Sequence, residues 1–112
     1  MPIANCIITT DCNKNSASPN DLIQRWASES KISPDDMTVN ITTSDAQQGK
    51  KYTVMANLLL PSVWSNADIS QLQIGLAKAL SSYFNVPPEE VFVATSIINS
   101  GMVVEGGKEI KW

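Results

Sequence analysis

An internal repeat constrains this chain more than any other feature. Residues 32–39 read ISPDDMTV and residues 86–93 read VPPEEVFV. In both motifs an apolar residue, a proline turn and an acidic pair precede an alternating apolar run. A helix-like stretch precedes each motif, and a strand-like stretch precedes each helix-like one. Such self-similarity indicates a duplicated supersecondary unit. We therefore predict two βαβ units, pseudo-repeats at about 1–43 and 51–97, in a single domain spanning residues 1–112.

Four stretches of apolar and β-branched residues predict the strands of these units. They are residues 2–9, 37–42, 52–60 and 91–97. The third stretch is apolar almost throughout, which predicts burial on both faces of a sheet. Asn57 interrupts it. We interpret this residue as a hydrogen-bonded core amide, with a polar group that faces a channel as the alternative.

Two helices are predicted between the strands. A serine N-cap with an aspartate three residues later indicates each start, Ser18 for the first helix and Ser65 for the second. For the second helix, an overlapping start from Asp68 to Gln71 is the alternative. The first helix is expected to end near Lys31, because a proline follows three residues later. Near the C-terminus, Gly106-Gly107 predicts the two-residue turn of a short hairpin.

Right-handed crossovers in both units predict an α/β (α+β) fold, a four-stranded mixed sheet with both helices on one face. The other face of the sheet is then uncovered by the chain. Residues expected on this open face include Asn5, Ile7, Val54, Ala56 and Leu58. A small domain must bury an exposed apolar face, so the pattern predicts oligomerisation.

Composition excludes several functional classes. The chain has no histidine, which rules out imidazole catalysis, the Ser-His-Asp and Cys-His classes, and most zinc sites. The net charge is −3 and the basic residues are scattered, so no nucleic-acid partner is expected. Only Lys50 and Lys51 are adjacent among the basic residues, and we interpret them as a solvated turn.

Neither a membrane nor an oxidising compartment is indicated. No apolar run is long enough to span a bilayer, and no charged-then-apolar leader precedes the first strand. The two cysteines, Cys6 and Cys12, are too few for a disulfide scaffold. A reduced, cytoplasmic protein is therefore the expectation.

These features together resemble the tautomerase superfamily. Pro2 directly after Met1, tandem βαβ halves, a proline–acid turn before the last long strand and a glycine hairpin carry the resemblance. The length and the run from residue 52 to 92 are most similar to the macrophage migration inhibitory factor branch. The opening Pro2-Ile3-Ala4 is similar to that of 4-oxalocrotonate tautomerases. The resemblance implies a homotrimer whose sheets surround a central channel, active sites near subunit boundaries, and no metal or other cofactor.

The resemblance also implies that Met1 is removed and that the freed nitrogen of Pro2 acts as general base or acid. Pro2 would then be a rigid secondary amine rather than an amide. An α-amino group titrates near pH ~8, and burial or a nearby cation lowers its pKa. Abstraction of a proton next to a carbonyl requires a base of this kind. The structural alternative is an ordinary strand-leading proline at a sheet edge.

Four further site residues follow from the resemblance. Lys31 would hold the substrate carboxylate or the enolate oxygen; the alternative is a lysine placed favourably against the helix dipole. Pro61 stands where the family has an apolar residue whose backbone amide binds the ligand. Phe92 stands where it has a tyrosine and Ala94 where it has an asparagine, so three polar contacts are missing. Asn99 follows the last long strand, near where the family closes its pocket.

The sequence thus predicts a cofactor-independent tautomerase that acts on a small α-keto acid. Pro2 would move a proton between carbon and oxygen while Lys31 stabilises the oxyanion. The alternative is a non-catalytic trimer of the same fold that serves as a binding or structural protein, as the missing polar contacts suggest. A third hypothesis is a hydrolytic relative acting on halogenated or decarboxylating substrates. It needs a carboxylate or an arginine pair, and Arg25 is the sole arginine.

Overall fold

The computed structural model describes residues 1–12 and 19–112. Its elements are β1 (Ile3–Thr9), α1 (Pro19–Ser30), β2 (Thr38–Ser44), β3 (Val54–Pro61), α2 (Asn66–Phe84), β4 (Val91–Ile98), β5 (Val103–Glu105) and β6 (Lys108–Ile110). The four long strands, both helices and the hairpin that the sequence predicts are all present. The predicted N-cap Ser18 lies outside the described residues.

The four long strands form one mixed sheet in the order β2-β1-β3-β4. The β1–β2 and β3–β4 pairs are parallel, each joined through a helix, and β1 and β3 pair antiparallel in the centre. The short strands β5 and β6 form a separate antiparallel hairpin. Gly106 and Gly107 connect them with φ of 60° and 77°, as a two-residue hairpin turn requires. The predicted fold class is therefore confirmed.

The helices cover one face of the sheet and form the core with it. Alternate residues of β1 and β3 point into this core. They are Ala4, Cys6, Ile8, Val54, Ala56 and Leu58. Trp26 of α1 is fully buried and donates its indole N–H to the carbonyl of Leu72 on α2, at 3.0 Å. The indole is thereby satisfied inside the core and joins the two helices.

The open face of the sheet differs in part from the prediction. Asn5 and Ile7 are exposed on it, as expected, but Val54, Ala56 and Leu58 are buried beneath the helices. The prediction for these three was wrong because the apolar run of β3 has no alternation. Such a run does not indicate which alternate residues point toward the helices.

Asn57 lies exposed on the open face, so its interpretation as a core amide was also wrong. Met55 and Leu59, on either side of it along this face, are half-buried. Asn57 pairs with Asn5, whose side chain accepts a hydrogen bond from the amide of Asn40 at 2.8 Å. In a single chain β3 is therefore buried on one face only, and a row of amides crosses the other.

The internal repeat is visible in the backbone. Lys31 and Asn85, which directly precede the two motifs, are the non-glycine residues with positive φ in the described part of the chain, at 60° and 54°. After each, the next N–H donates to a carbonyl five residues earlier, at 3.2 Å in the first half and 3.1 Å in the second. Both helices thus end in the same left-handed turn. Short 3₁₀ turns, Pro34–Asp36 and Pro88–Glu90, then lead into β2 and β4.

Candidate functional site

The candidate site lies at the sheet edge where β1 and β2 begin and β3 and β4 end. Ile3 pairs both with Thr38 at the start of β2 and with Leu59 near the end of β3. Pro2 directly precedes β1, and Asn99 directly follows β4. The topology therefore brings Pro2 and Asn99 to the same edge of the molecule.

Pro2 is fully buried at this edge. Its carbonyl accepts a hydrogen bond from the backbone N–H of Thr38 at 3.0 Å, which extends the β1–β2 ladder by one residue and fixes the ring. Met1, ahead of it, is half-buried. An amine at the position of the Pro2 nitrogen would be shielded from water, which favours its neutral form.

Lys31 lies at the same end of the sheet, because α1 runs antiparallel to the strands that it connects. Its side chain is exposed and lines a groove of about 550 Å³ between α1 and α2, to which Glu29 and Lys78 contribute. Pro2 is not among the residues lining this groove. The left-handed backbone of Lys31 is unfavourable for any residue with a β-carbon.

Pro61 is buried at the end of β3, next to the C-terminal residues of the chain. The following N–H, that of Ser62, donates to the carbonyl of Ile98 at 2.9 Å. The Ser62 hydroxyl accepts a hydrogen bond from the indole of Trp112 at 3.0 Å. The corner beside Pro61 is therefore closed by the segment that follows the hairpin.

Asn99 is exposed in the turn between β4 and the hairpin. Its carbonyl accepts a hydrogen bond from the N–H of Met102 at 3.1 Å. Gly101 adopts a φ of 87° inside this turn, where a side chain would be strained. Pro2, Pro61, Asn99 and the end of α1 thus lie at the same edge of the sheet. The Lys31 side chain, however, lies in a groove that Pro2 does not line.

Phe92 lies elsewhere. It is the second residue of β4 and pairs with Met55, whereas Ile98 at the other end of β4 pairs with Pro61. The six residue-to-residue steps along the strand from Phe92 to Ile98 correspond to about 20 Å. Phe92 therefore cannot reach the Pro2 of its own chain.

A basic and an aromatic residue that the sequence did not single out lie beside Phe92. The ring of Phe92 is 39% exposed, and the ring of Tyr52 contacts it with the two centroids 5.2 Å apart. The Lys50 ammonium lies 5.2 Å from the Tyr52 centroid, within the range of a cation–π contact. We refer to these three residues as the Lys50–Tyr52–Phe92 cluster. The only sequence signal is the adjacent pair Lys50-Lys51, a pattern typical of a solvated turn.

The loop before β3 is held by two further sets of contacts. The side-chain amide of Gln47 accepts from the backbone N–H of Tyr52 at 2.7 Å and donates to its carbonyl at 3.1 Å. The Asp11 carboxylate accepts from the Thr9 hydroxyl at 2.6 Å and from the Lys51 ammonium at 3.0 Å. The Thr9 hydrogen bond first, and Lys51 second, hold the pKa of Asp11 below its usual range. These contacts fix the backbone on both sides of the loop.

The Cys6 thiol, the acidic and sulfur side chains and the helices bear on nucleophilic, metal-binding and membrane-spanning roles. Burial raises the pKa of the Cys6 thiol to about 12, so this thiol stays protonated and is not a nucleophile. Within residues 1–12 and 19–112, no group of three or more acidic or sulfur ligands is placed to hold a metal ion. None of the helices described is long and apolar enough to cross a membrane.

Solved structures share this architecture at low sequence identity. A native fused 4-OT has a TM-score of 0.77 at 13% identity, covering 96% of this chain and 94% of that one. A fused 4-OT solved as a symmetric trimer has a TM-score of 0.72 at 13% identity, covering 93% and 91%. The macrophage migration inhibitory factor from Trichinella spiralis has a TM-score of 0.65 at 14% identity, covering 95% and 96%.

No protein-family model matches the sequence, and no curated protein matches it significantly. The structural likeness is what identifies the fold. These neighbours belong to the tautomerase superfamily, and the chain has the tautomerase fold.

Proposed function

We propose that this chain, which has the tautomerase fold, is a single-domain keto–enol tautomerase that acts on a small α-keto acid after removal of Met1. The observation that carries the proposal is the complete burial of Pro2 at the head of β1. Loss of Met1 would turn the nitrogen of this ring from an amide into a secondary amine. Burial would keep much of that amine unprotonated near neutral pH.

The chemistry requires one proton to move from carbon to oxygen. The Pro2 amine takes a proton from the carbon next to the keto group, and the electron pair of that C–H bond forms the enolate. Lys31 stabilises the developing oxyanion, which then takes the proton back from Pro2 to give the enol. Enol-to-keto conversion follows the same steps in reverse.

The left-handed backbone of Lys31 supports a role for its side chain. A lysine at φ 60° is strained where glycine or asparagine would be better tolerated, and Asn85 is the residue at the equivalent position of the second half. Strained residues of this kind cluster at functional sites. A lysine retained here at a cost in stability fits the proposed interaction with the oxyanion.

We further propose a homotrimer whose sites lie at subunit boundaries. The symmetric trimer formed by a fused 4-OT supports this arrangement. So does the position of Phe92, which could contribute to a Pro2 site only in another subunit. Burial of the open sheet face in such a trimer would cover Ile7 and Phe92, both partly exposed in the single chain. We also propose a cytoplasmic location, because the two cysteines of the sequence are too few for a disulfide scaffold.

The test is a rate measurement on protein shown by intact mass to lack Met1. Phenylpyruvate and oxaloacetate, an aryl and an aliphatic probe, are followed by the ultraviolet absorbance of their enols. Pro2→Ala should lower kcat/KM by about 10²- to 10⁴-fold, the usual contribution of a general base. A tag fused ahead of Met1 is the matched control, because it keeps the proline but acylates its nitrogen, and it should be equally inactive.

An active tagged protein, or an active Pro2→Ala variant, would refute the role of Pro2. Lack of turnover of either keto acid by Met1-free protein would refute the tautomerase and favour the non-catalytic trimer. The pH dependence of kcat/KM gives a second criterion. It should show a base with a pKa below ~8, the value of an unperturbed α-amino group.

A further inference from the structure

The Lys50–Tyr52–Phe92 cluster combines three kinds of chemistry at one end of the open sheet face. Phe92 offers a partly exposed ring, Tyr52 a phenol and Lys50 an ammonium group. A cation and a hydroxyl donor beside an aromatic surface suit an organic anion in which a carboxylate adjoins an apolar group. An α-keto acid with an apolar side chain has this chemistry.

The groups of the cluster are held in place before any ligand binds. Gln47 binds both backbone polar groups of Tyr52, and the ring of Tyr52 packs against Phe92. The carboxylate of Glu90, two residues before Phe92, accepts a hydrogen bond from the hydroxyl of Thr53. Groups that are fixed in advance lose less conformational entropy on binding, which favours affinity.

We propose that Lys50 and Tyr52 of one subunit bind the substrate carboxylate at the Pro2 site of a neighbouring subunit. This inference rests on the proposed function, in which Phe92 meets Pro2 across a subunit boundary. Lys31 would then stabilise the oxyanion, and Lys50 would bind the carboxylate. Each negative charge of the substrate would thus contact a different lysine.

The assignment also accounts for the missing phenol at position 92. Phe92 has a ring but no hydroxyl, whereas Tyr52, in contact with it at 5.2 Å between centroids, carries one. A phenol is therefore present at this end of the sheet, supplied by the loop before β3 instead of by β4. The Lys50 ammonium, which lies over the Tyr52 ring, adds a charge that a tyrosine alone would not provide.

The first test compares two adjacent lysines in Met1-free protein. Lys50→Met should raise the KM for phenylpyruvate about tenfold, because a charge-assisted contact is lost, with a smaller change in kcat. Tyr52→Phe, which keeps the ring contact, should raise KM about threefold. Lys51→Met is the matched control: it removes the same charge one residue away, where the lysine is tied to Asp11. It should change KM less than about twofold.

The second test asks whether the contact crosses a subunit boundary. Pro2→Ala and Lys50→Met chains are coexpressed in equal amounts, and rates are measured far below KM. If Lys50 acts on the neighbouring Pro2, about a quarter of all boundaries in the randomly assembled trimers pair an intact Pro2 with an intact Lys50. The rate should then exceed that of the separately assembled, mixed proteins about fivefold. No increase would overturn the proposal.

A binding measurement separates failure of this inference from failure of the proposed function. The probe is trans-cinnamate, an aryl carboxylate with no keto group, titrated calorimetrically. Its Kd should rise about tenfold in Lys50→Met and not in Lys51→Met. That result in a protein without tautomerase activity would refute the proposed function and support the ligand site. Pro2-dependent turnover with equal effects of the two lysine variants, or no cinnamate binding at all, would overturn the inference alone.

Discussion

Replacing Lys31 with glycine should make the protein more stable and less active. At φ 60° the β-carbon of Lys31 crowds the following carbonyl, which costs about 1–2 kcal/mol for a residue other than glycine. Glycine removes this strain, but it also gives the unfolded chain more conformational freedom. That freedom offsets about 0.5–1 kcal/mol of the stabilisation. The free energy of unfolding should therefore rise by about 0.5–1 kcal/mol, or about 2–4 °C in Tm for a domain of this size.

The internal repeat supplies a matched control at Asn85. This residue ends α2 in the same left-handed turn, at φ 54°. Asparagine tolerates this region of φ/ψ better than lysine does, so Asn85→Gly should gain less than about 0.5 kcal/mol. Asn85 ends a helix on the covered face of the sheet, whereas Phe92 lies on the open face. Asn85 also lies at the end of the sheet opposite Pro2, so Asn85→Gly should leave tautomerase activity unchanged.

Urea unfolding at one fixed protein concentration measures the stabilities, and enol–keto conversion by the same Met1-free samples measures activity. Lys31→Gly should lower kcat/KM about tenfold or more, as expected when an ammonium that stabilises an oxyanion is lost. A Lys31→Gly protein no more stable than Asn85→Gly would refute the argument from backbone strain. A stabilised variant with unchanged kcat/KM would instead refute the role of the ammonium group.

Two further predictions concern the core. In Gly75→Ala a β-carbon would clash with the Ser30 hydroxyl and lie 3.1 Å from its backbone nitrogen, so urea unfolding should show a loss of about 1–3 kcal/mol. Adding Ser30→Ala to this variant should recover part of the lost stability, because the Ser30 hydroxyl is buried without a hydrogen-bond partner in the described part of the structure. A double variant as unstable as Gly75→Ala alone would contradict the clash. Burial raises the pKa of Cys6 from 9.0 to about 12, so its contribution to stability is complete below pH 9.0 and is lost as pH rises toward 12. Cys6→Ala should lack this component of the pH dependence in parallel urea titrations, and identical pH profiles would show that the Cys6 thiol does not titrate as expected.

Local signals in the sequence were enough to predict the elements of the fold. The Ser65 hydroxyl accepts the N–H of Asp68 at 3.1 Å, as the capping pattern at the start of α2 predicted. The Gly106-Gly107 turn likewise lies where its sequence indicated. The orientation of β3 was not predictable in this way, because a run without alternation fits either face. Packing of both helices decided it, and Asn57 was left outside the core.

The candidate site was predictable only as far as topology determines it. Pro2 and Asn99 share an edge because the antiparallel pairing of β1 with β3 brings the starts of β1 and β2 to the ends of β3 and β4. Phe92 belongs to the opposite edge, and its relation to Pro2 depends on an assembly that the pattern of one chain does not describe. The contact of Lys50 with Tyr52 depends on the conformation of a loop that Gln47 holds, and no periodic pattern reports such a contact.

The repeat finally accounts for why the proposed function gives each chain one proline site and not two. Ile3 pairs with Thr38 in the first half and Met55 with Phe92 in the second, so the residue equivalent to Pro2 is Val54. Val54 is fully buried like Pro2, but its nitrogen lies inside the chain and is always an amide. The second half therefore has the backbone equivalent of the proposed site without the proposed base. Its edge carries Phe92 instead, which in the proposed trimer would serve the site of another subunit.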